Sequence, residues 1–215
     1  LERPNIHAPG ISCVAGDVSE LDFEADSFDV VLCSEVLEHI PADDLARACG
    51  ELARVTRRFL VVGVPFAQDL RVARTRCAQC GTVNPPYGHV NRFTRDALTA
   101  LFGQLLPVTV DYVGSTRERT NVLSDSLMRA AGYPWGSYGQ DEPCIACGRP
   151  VGPAPAPQFG ARVLAGLAHR LDRAIALCTP TRPQWLHVVF EKAGPAERDY
   201  LTRPKPRSRE DPSRG

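Results

Sequence analysis

Two Cys-x-x-Cys pairs, Cys77/Cys80 and Cys144/Cys147, have the residue types and spacing that most directly indicate chemistry, and a glycine follows each pair. Two intervening residues let both thiolates of a pair bind one ion, and the glycine permits the left-handed turn that directs backbone amides at sulfur. Four thiolates form a closed tetrahedral site that suits structural Zn²⁺ and leaves no position for catalysis. We predict a zinc site; a disulfide, a redox dithiol and independent thiols are the alternatives.

Polar residues also follow two segments that we predict to be buried strands. Asp17 lies near the end of the segment 11–18, and Ser34 and Glu35 follow the nearly continuous apolar run 28–33. Such runs are typical of strands that are buried on both faces. Open α/β sheets bind ligands at the carboxyl ends of their strands, so we expect these polar groups to border a ligand site.

The elements that must position these residues alternate along the chain. Residues 43–55 and 95–105 have the apolar spacing of helices, with Thr94 as the N-cap of the second, and residues 161–178 predict a third helix. The apolar segments 59–64, 108–113 and 185–191 predict further strands. Strand, helix and strand within residues 28–64 form a βαβ unit, which indicates an α/β fold with a parallel pair of strands.

Residues 14–41, with the run Glu-Val-Leu-Glu-His-Ile after the second strand, closely resemble the middle of a class I S-adenosylmethionine-dependent methyltransferase of the small-molecule type. The resemblance covers about residues 11–113 and 183–193. It implies that Asp17 and the backbone amide of Val18 bind the adenine of S-adenosylmethionine. It also implies that Ser34 and Glu35 face the methionine end of this cofactor and the substrate, with Glu35 a candidate catalytic residue.

The resemblance also implies a Rossmann-like sheet whose strands lie in the order 3-2-1-4-5-7-6. The Gly-rich cofactor loop of the family and the ribose-binding acid are not found in the sequence, because residues 1–10 leave no room for the strand, loop and helix that they require. We therefore expect a sheet that lacks its first two strands, and we hypothesise a truncated gene product or a misplaced start. A Gly-rich strand–loop–helix encoded in frame upstream would support this hypothesis.

The expected division of the chain follows from these assignments. Residues 1–66 form the central part of the methyltransferase domain, and residues 93–113 with 159–194 form its C-terminal part. A zinc-ribbon insertion occupies residues 67–92 and 114–158. The charged, Pro-rich tail 195–215 is expected to be disordered.

His89 lies in the segment Gly-His-Val-Asn-Arg-Phe-Thr just before the second predicted helix, where related methyltransferases often carry a histidine over the active-site mouth. A general base or a substrate contact is the functional interpretation of His89, since its unperturbed pKa suits proton transfer near neutral pH. The alternative is that His89 and Arg92 only fasten the loop. We expect His39 to orient the turn after the strand, and His187 to be structural.

The sequence Asn84-Pro-Pro-Tyr87 matches a signature of methyltransferases that act on flipped bases. In that family the motif ends the fourth strand, a place that Ser34 and Glu35 occupy here, and Asn84 instead lies beside a Cys pair. A rigid Pro-rich turn is the preferred interpretation. The 25 basic and 25 acidic residues cancel, so we expect no nucleic-acid partner.

We therefore predict methyl transfer from S-adenosylmethionine to an oxygen or nitrogen of a small metabolite or biosynthetic intermediate. A non-catalytic methyltransferase remnant, or a zinc-ribbon protein that binds another protein, is the alternative. A nicotinamide-dependent oxidoreductase would need the same glycine loop and would not explain the Glu-Val-Leu-Glu-His run. No apolar run reaches the ~20 residues of a membrane span. The Cys distribution predicts the cytoplasm, and the oligomeric state is left open.

Overall fold

The computed structural model describes residues 10–134, 143–151 and 156–193. The strands in these ranges are β1 (Phe28–Ser34), β2 (Thr56–Pro65), β3 (Thr75–Arg76), β4 (Val83–Asn84), β5 (Leu106–Val113) and β6 (Trp185–Glu191). The α-helices are α1 (Ala42–Val55), α2 (Arg95–Leu101), α3 (Val122–Ala130) and α4 (Phe159–Cys178), and 3₁₀ turns occur at Leu37–His39 and Pro86–Gly88. None of the helices in the described ranges combines the length and apolar character that a membrane-spanning segment needs.

The main sheet has four strands in the order β1-β2-β6-β5. β1 and β2 are parallel, whereas β6 runs antiparallel to both of its neighbours. This order equals the 4-5-7-6 half of the expected sheet and confirms the Rossmann-like α/β fold. The carboxyl ends of β1 and β2 meet at one edge of the sheet, where Ser34 pairs in register with Gly63.

The core lies between this sheet and the helices α1 and α2. Alternate residues of β2 and β6 point into it, and the aromatic rings of Phe102 and Phe190 pack there with centroids 4.9 Å apart. Cys33 and Cys49 are also buried in this core. Burial raises the pKa of the Cys33 thiol to about 12 and that of Cys49 to about 11, so both act as small apolar side chains.

One face of β1 is open to solvent. Val30 and Leu32 are 58% and 71% exposed, whereas Cys33 on the opposite face is buried in the core. The prediction that this strand is buried on both faces is therefore wrong. The reason is that α1 and α2 cover only the face that carries Cys33, together with Leu60 and Val62 of β2.

Residues 11–18 do not form the predicted strand. Their only β-type contact among the described residues is an isolated bridge between Asp17 and Glu20, and Val14 is 72% exposed. A strand needs a neighbour to pair its backbone groups, and no described strand lies beside this segment. The following loop is instead held against α1, because Arg54 donates to the carbonyl oxygens of Leu21 and Phe23.

The remaining predicted elements are present, with altered ends. α1, β2, β5, β6 and α4 confirm the segments 43–55, 59–64, 108–113, 185–191 and 161–178. Thr94 caps α2 by accepting a hydrogen bond from the Ala97 amide, and α2 ends at Leu101, before the predicted end at residue 105. Leu98, Phe102 and Leu105 are nevertheless buried, as the apolar spacing of this segment predicts.

α3 was not predicted. It lies in the expected insertion, starts at an Asn121 cap and packs against α4, where the Ser124 hydroxyl donates to the Ala168 carbonyl oxygen. Asp172 of α4 accepts hydrogen bonds from Thr120 and Asn121. The helix α4 therefore packs on the segment that follows β5.

Candidate functional site

Asp17 and Val18 lie in the loop that packs on α1. The Asp17 carboxylate accepts hydrogen bonds from the backbone amide and hydroxyl of Ser19, at 2.8 and 2.7 Å, which forms a local turn. The hydrogen bonds from Ser19 lower the pKa of the Asp17 carboxyl group below its usual value. Asp17 is thus a fixed, ionised and exposed carboxylate, while Val18 packs against the core.

Ser34 and Glu35 form the turn at the carboxyl end of β1. Glu35 has a positive φ of 57°, and its backbone amide donates to the Gly63 carbonyl oxygen at 3.1 Å. A Cβ atom at Gly63 would lie 2.8 Å from Ser34 Oγ and 3.0 Å from His187 Cδ2. Residue 63 must therefore be glycine for Ser34 and His187 to approach each other across β2.

Three side chains that can bind a metal or transfer a proton lie close together next to this turn. Glu38 and His39 follow it in sequence, and His89 comes from the loop before α2. One nitrogen or oxygen atom of each lies within 4.8 Å of the others. The two imidazole rings stand edge to face with centroids 4.7 Å apart. Nδ1 of His89 forms a 2.6 Å hydrogen bond with Gln68 Oε1. We call these three residues the Glu38–His89 cluster.

Backbone hydrogen bonds hold the cluster together. The Glu38 carbonyl oxygen accepts from the amides of Val90 and Asn91, at 2.7 and 3.1 Å. The Asn91 side chain donates to the carbonyl oxygens of Leu37 and Ile40, at 2.8 and 2.6 Å. Asn91 thus ties the loop that carries His89 to the turn that carries Glu38 and His39.

Burial shifts the pKa values of the acids and of the histidine in this region in opposite directions. Burial raises the pKa of the Glu38 carboxyl group to about 7 and also raises that of Glu35. Burial, with a contribution from His39, lowers the pKa of His89 to about 4. Glu38 is fully buried, and neither of its carboxylate oxygens has a hydrogen-bond partner among the described residues.

A cavity of about 260 Å³ opens beside the cluster. We call it the Glu35–His89 cavity; its lining includes Glu35, Gln68, Tyr87, His89, Arg182 and Trp185. Glu35 and His89, which the sequence proposed as catalytic residues, therefore line one space. Asp17 and Val18 are not among its lining residues. A small molecule that occupied this cavity would contact groups from the ends of β1 and β2 and from the loop before α2.

A larger cleft, of about 680 Å³, shares Gln68 and Arg182 with this cavity. Its charged lining consists of Arg71, Arg92, Arg119, Arg182 and one acid, Asp69. We call it the arginine cleft.

The positive charge of the arginine cleft is only partly compensated. Arg71 binds Asp69 through two 2.9 Å hydrogen bonds, whereas Arg92 and Arg119 form no ion pair within the described ranges. Burial, together with the charges of Arg119 and Arg92, lowers the pKa of Arg182. The cleft therefore presents an excess of positive charge next to the cavity.

The four paired cysteines form a separate cluster, in which all Sγ atoms lie within 4.8 Å of one another. Sγ of Cys77 is 3.9 Å from that of Cys147, and Sγ of Cys80 is 3.6 Å from that of Cys144. Tetrahedral Zn–S bonds of ~2.3 Å place sulfur atoms ~3.8 Å apart, so the arrangement fits zinc. Backbone amides of Cys147 and Ala146 lower the pKa of Cys144 to about 6.

The glycines after both pairs have the left-handed backbone that the spacing predicted, with φ of 75° at Gly81 and 66° at Gly148. Asn84 is buried against this cluster: its Oδ1 accepts from the Ile145 amide, and its Nδ2 lies 3.6 Å from Cys144 Sγ. The interpretation of Asn84 as part of a structural turn agrees with these contacts.

Sequence reasoning overlooked several residues of the site. Glu38 lies in the Glu-Val-Leu-Glu-His-Ile run, but the sequence predicted no role for it. It also predicted no role for Gln68, Asn91 or Arg182. His187 was expected to be structural; the structure places it near Glu35, whose pKa it lowers together with Glu38, which has the larger effect, against the effect of burial. The spacing Glu-x-x-Glu-His was the available signal, because a short turn places its second acid and the histidine together.

Residues 1–59 match the family model of a methyltransferase domain. The solved structures similar to this chain include a SAM-dependent methyltransferase from Archaeoglobus fulgidus, which is 12% identical with a TM-score of 0.43, over 83% of this chain and 66% of that one. A SAM-dependent methyltransferase from Methanosarcina mazei is 12% identical with a TM-score of 0.42, over 82% and 65%. One from Mesorhizobium loti is 17% identical with a TM-score of 0.37, over 82% and 67%.

The chain spans about two thirds of the length of these three solved structures. No curated protein matches the chain in sequence.

We predict that Asn91→Ala destabilises the protein by about 1–3 kcal/mol, because the carbonyl oxygen of Ile40 loses its side-chain donor and that of Leu37 keeps only the longer of its two hydrogen bonds. Urea unfolding measures this change in the free energy of unfolding. Gln104→Ala, which truncates an exposed amide, is the control and should change stability by less than about 0.5 kcal/mol. Equal effects of the two variants would contradict a role of Asn91 as a clamp.

Proposed function

We propose that this chain, whose residues 1–59 match the model of a methyltransferase domain, transfers a methyl group from S-adenosylmethionine to an oxygen or nitrogen of a small metabolite or biosynthetic intermediate. The match of residues 1–59 to the family model is the observation that carries the proposal. The position of the Glu35–His89 cavity supports it, because open α/β sheets bind ligands at the carboxyl ends of their strands.

In this proposal the residues of the chain mainly align the reactants. S-adenosylmethionine supplies, when bound, an electrophilic methyl group on a sulfonium sulfur. The Glu35–His89 cavity holds the acceptor so that its nucleophilic atom lies in line with that methyl group. Glu35 and His89 contact the acceptor, and a hydroxyl acceptor also requires that its proton be removed.

The proposed cofactor-binding residues are Asp17, Val18, Ser34 and Glu35. Ser19 fixes only Oδ1 of Asp17, so the carboxylate can still accept a hydrogen bond from the adenine edge. Ser34 and Glu35 are exposed at the end of β1, next to the cavity proposed for the acceptor. Their location agrees with a place near the methionine end of the cofactor.

We predict that the full-length protein binds S-adenosylmethionine and that Asp17→Asn weakens this binding about tenfold, since a charge-assisted hydrogen bond contributes ~1.5–3 kcal/mol. Isothermal titration calorimetry measures both affinities. Asp43→Asn, at an exposed acid in the first turn of α1, is the matched control and should bind as the wild type does. An unchanged affinity of the Asp17 variant would contradict the assignment of Asp17.

A non-catalytic remnant is the second candidate. The observation that favours it is the exposed, unpaired segment 11–16, which lies where the family has a strand of the cofactor-binding edge. The same titration separates the two functions. Absence of S-adenosylmethionine binding by the full-length protein would exclude methyl transfer and favour a role of the cysteine cluster in binding another protein.

The arginine cleft supports a negatively charged acceptor. Arg92 and Arg119 have no ion pair within the described residues, and Arg182 connects the cleft to the Glu35–His89 cavity. Arginine binds carboxylates and phosphates through planar pairs of N–H donors. We infer that the acceptor carries such an oxyanion, which the cleft binds while the nucleophilic atom reaches the cavity.

We predict that inorganic phosphate and succinate, at low ionic strength, bind the protein and that the double variant Arg92→Gln/Arg119→Gln weakens the better ligand about fivefold or more. Chemical-shift titration measures both affinities without cofactor or acceptor. Arg95→Gln removes an equally exposed arginine outside the cleft and should leave them unchanged. An equal loss in the control, or no binding of either anion, would contradict an oxyanion site.

The cysteine cluster is proposed to hold one structural Zn²⁺ and to join the segments 67–92 and 114–158 into a zinc ribbon. Its sulfur spacing supports this assignment. The strand pair β3–β4 and the bridge between Pro143 and Pro150 flank the two Cys pairs. All eight cysteines are unpaired, which supports a proposed location in the reducing cytoplasm.

We predict that Cys144→Ser removes one zinc per chain relative to the wild type, because a site with three thiolates holds the ion much less tightly. Elemental analysis of protein purified under reducing conditions gives the ratio. Cys178→Ser, at an exposed cysteine of α4, should retain the wild-type zinc content. Hydrogen exchange should accelerate around residues 75–84 and 143–151 and not in β2. A zinc content near zero in the wild type would rule the site out.

A further inference from the structure

We propose that the Glu38–His89 cluster, which adjoins the Glu35–His89 cavity through His89, binds a divalent metal ion of the first transition row with Glu38, His39 and His89 as protein ligands. Glu35 lines the cavity next to His89 and interacts with Glu38, so in this proposal it lies beside the ion without being one of its three ligands. That the ion also contacts the nucleophilic atom of the acceptor rests on the function proposed above; the metal site itself does not.

The donor atoms are close enough for one ion. Metal bonds to imidazole nitrogen and carboxylate oxygen are ~2.0–2.2 Å long, so any two ligand atoms of one ion lie within ~4.4 Å. The ligand atoms of Glu38, His39 and His89 lie within 4.8 Å of one another, so a contraction of a few tenths of an ångström brings all three into range.

Glu38 provides the second and independent observation. Its side chain is fully buried, and within the described ranges no lysine or arginine pairs with its carboxylate oxygens. The neighbouring carboxyl group of Glu35 interacts with it, but this is a contact between two acids and supplies no positive charge. Burying a carboxylate without a partner is costly, and buried charges are normally paired or bound to a metal. A cation between Glu38 and the two histidines would supply the missing partner.

His89 is oriented as metal-binding histidines usually are. The hydrogen bond between His89 Nδ1 and Gln68 Oε1 requires Nδ1 to donate, because the amide oxygen only accepts. The lone pair of His89 is then on Nε2. A hydrogen bond from the second ring nitrogen to a carbonyl-type oxygen is the common way to orient a metal-binding imidazole. Gln68 therefore orients His89 in this proposal.

The donor set distinguishes this site from the cysteine cluster. Two imidazole nitrogens with one or two carboxylate oxygens suit Mn²⁺, Fe²⁺, Co²⁺ or Zn²⁺, whereas four thiolates favour Zn²⁺. The Glu35–His89 cavity reaches the cluster at His89. The competing explanation is that Glu38 is protonated and structural.

Mn²⁺ is the probe that tests the proposal, on the full-length protein after chelation and reloading with one equivalent of Zn²⁺ to fill the cysteine cluster. The electron paramagnetic resonance signal of free Mn²⁺ decreases on binding and gives affinity and stoichiometry without cofactor or acceptor. We expect one Mn²⁺ per chain. Glu38→Gln and His89→Ala should each weaken binding at least tenfold, and Gln68→Ala should weaken it about tenfold through loss of His89 orientation.

Glu24→Gln, at an exposed glutamate, is the matched control and should bind Mn²⁺ as the wild type does. Thermal unfolding provides a readout that does not depend on the fold of the variants, because Mn²⁺ should raise the Tm of the wild type. No Mn²⁺ binding by the wild type, or equal binding by Glu38→Gln, would overturn the proposal and favour a protonated Glu38. S-adenosylmethionine binding, measured separately, reports on the proposed methyl transfer and not on this site.

Discussion

The hydrogen bonds between Asn91 and the turn after β1 are the constraint on which the rest of the site depends. The Asn91 amide donates to the Glu38 carbonyl oxygen, and its side chain donates to those of Leu37 and Ile40. Of these carbonyl groups only that of Leu37 also accepts a hydrogen bond inside its own turn, a long one of 3.3 Å from the Ile40 amide, so the loop before α2 supplies most of their donors. The same bonds determine where His89 lies, two residues earlier. The need to supply donors to the carbonyl groups of this turn thus fixes the position of His89 relative to His39, 50 residues earlier in the sequence.

These hydrogen bonds bring two acids close together and two histidines close together, which makes the site suited to binding a ligand or transferring a proton. Glu38 is buried beside Glu35, and His89 is buried beside His39, so burial and neighbours both oppose the charged forms. The buried Leu37 and the packing of α2 through Phe93 and Leu98 supply favourable free energy that can offset this cost. Strain of this kind persists only where surrounding structure over-determines it, and it concentrates at functional sites.

The elements that depend on local periodicity could be predicted from the sequence. α1, β2 and β6 follow from apolar spacing. The cysteine cluster follows from the two matching Cys-x-x-Cys pairs, because each pair supplies half of a four-thiolate site. The strand at 11–18 could not be predicted correctly, because its apolar residues satisfy the pattern while its backbone has no neighbour to pair with. Residue type also could not show that Asn91 would clamp a turn, or that Glu38 would be buried without a lysine or arginine partner among the described residues. Those properties arise from long-range contacts that leave no local pattern.

In the proposed function, Arg182 connects two parts of the molecule: the ends of the strands and the segments that leave them. Its backbone pairs with Thr116, and its side chain donates to the carbonyl oxygens of Phe66 and Glu118, so it joins the segments that leave β2 and β5. The strand ends determine where Glu35 and His89 lie, and these are the groups nearest to a reacting atom. The segments that leave β2 and β5 carry the arginines that are proposed to recognise a charge on the acceptor. Arg182 borders both the arginine cleft and the Glu35–His89 cavity. Changes in the segments that leave β2 and β5 would therefore alter which acceptor enters, while the groups at the strand ends stay in place.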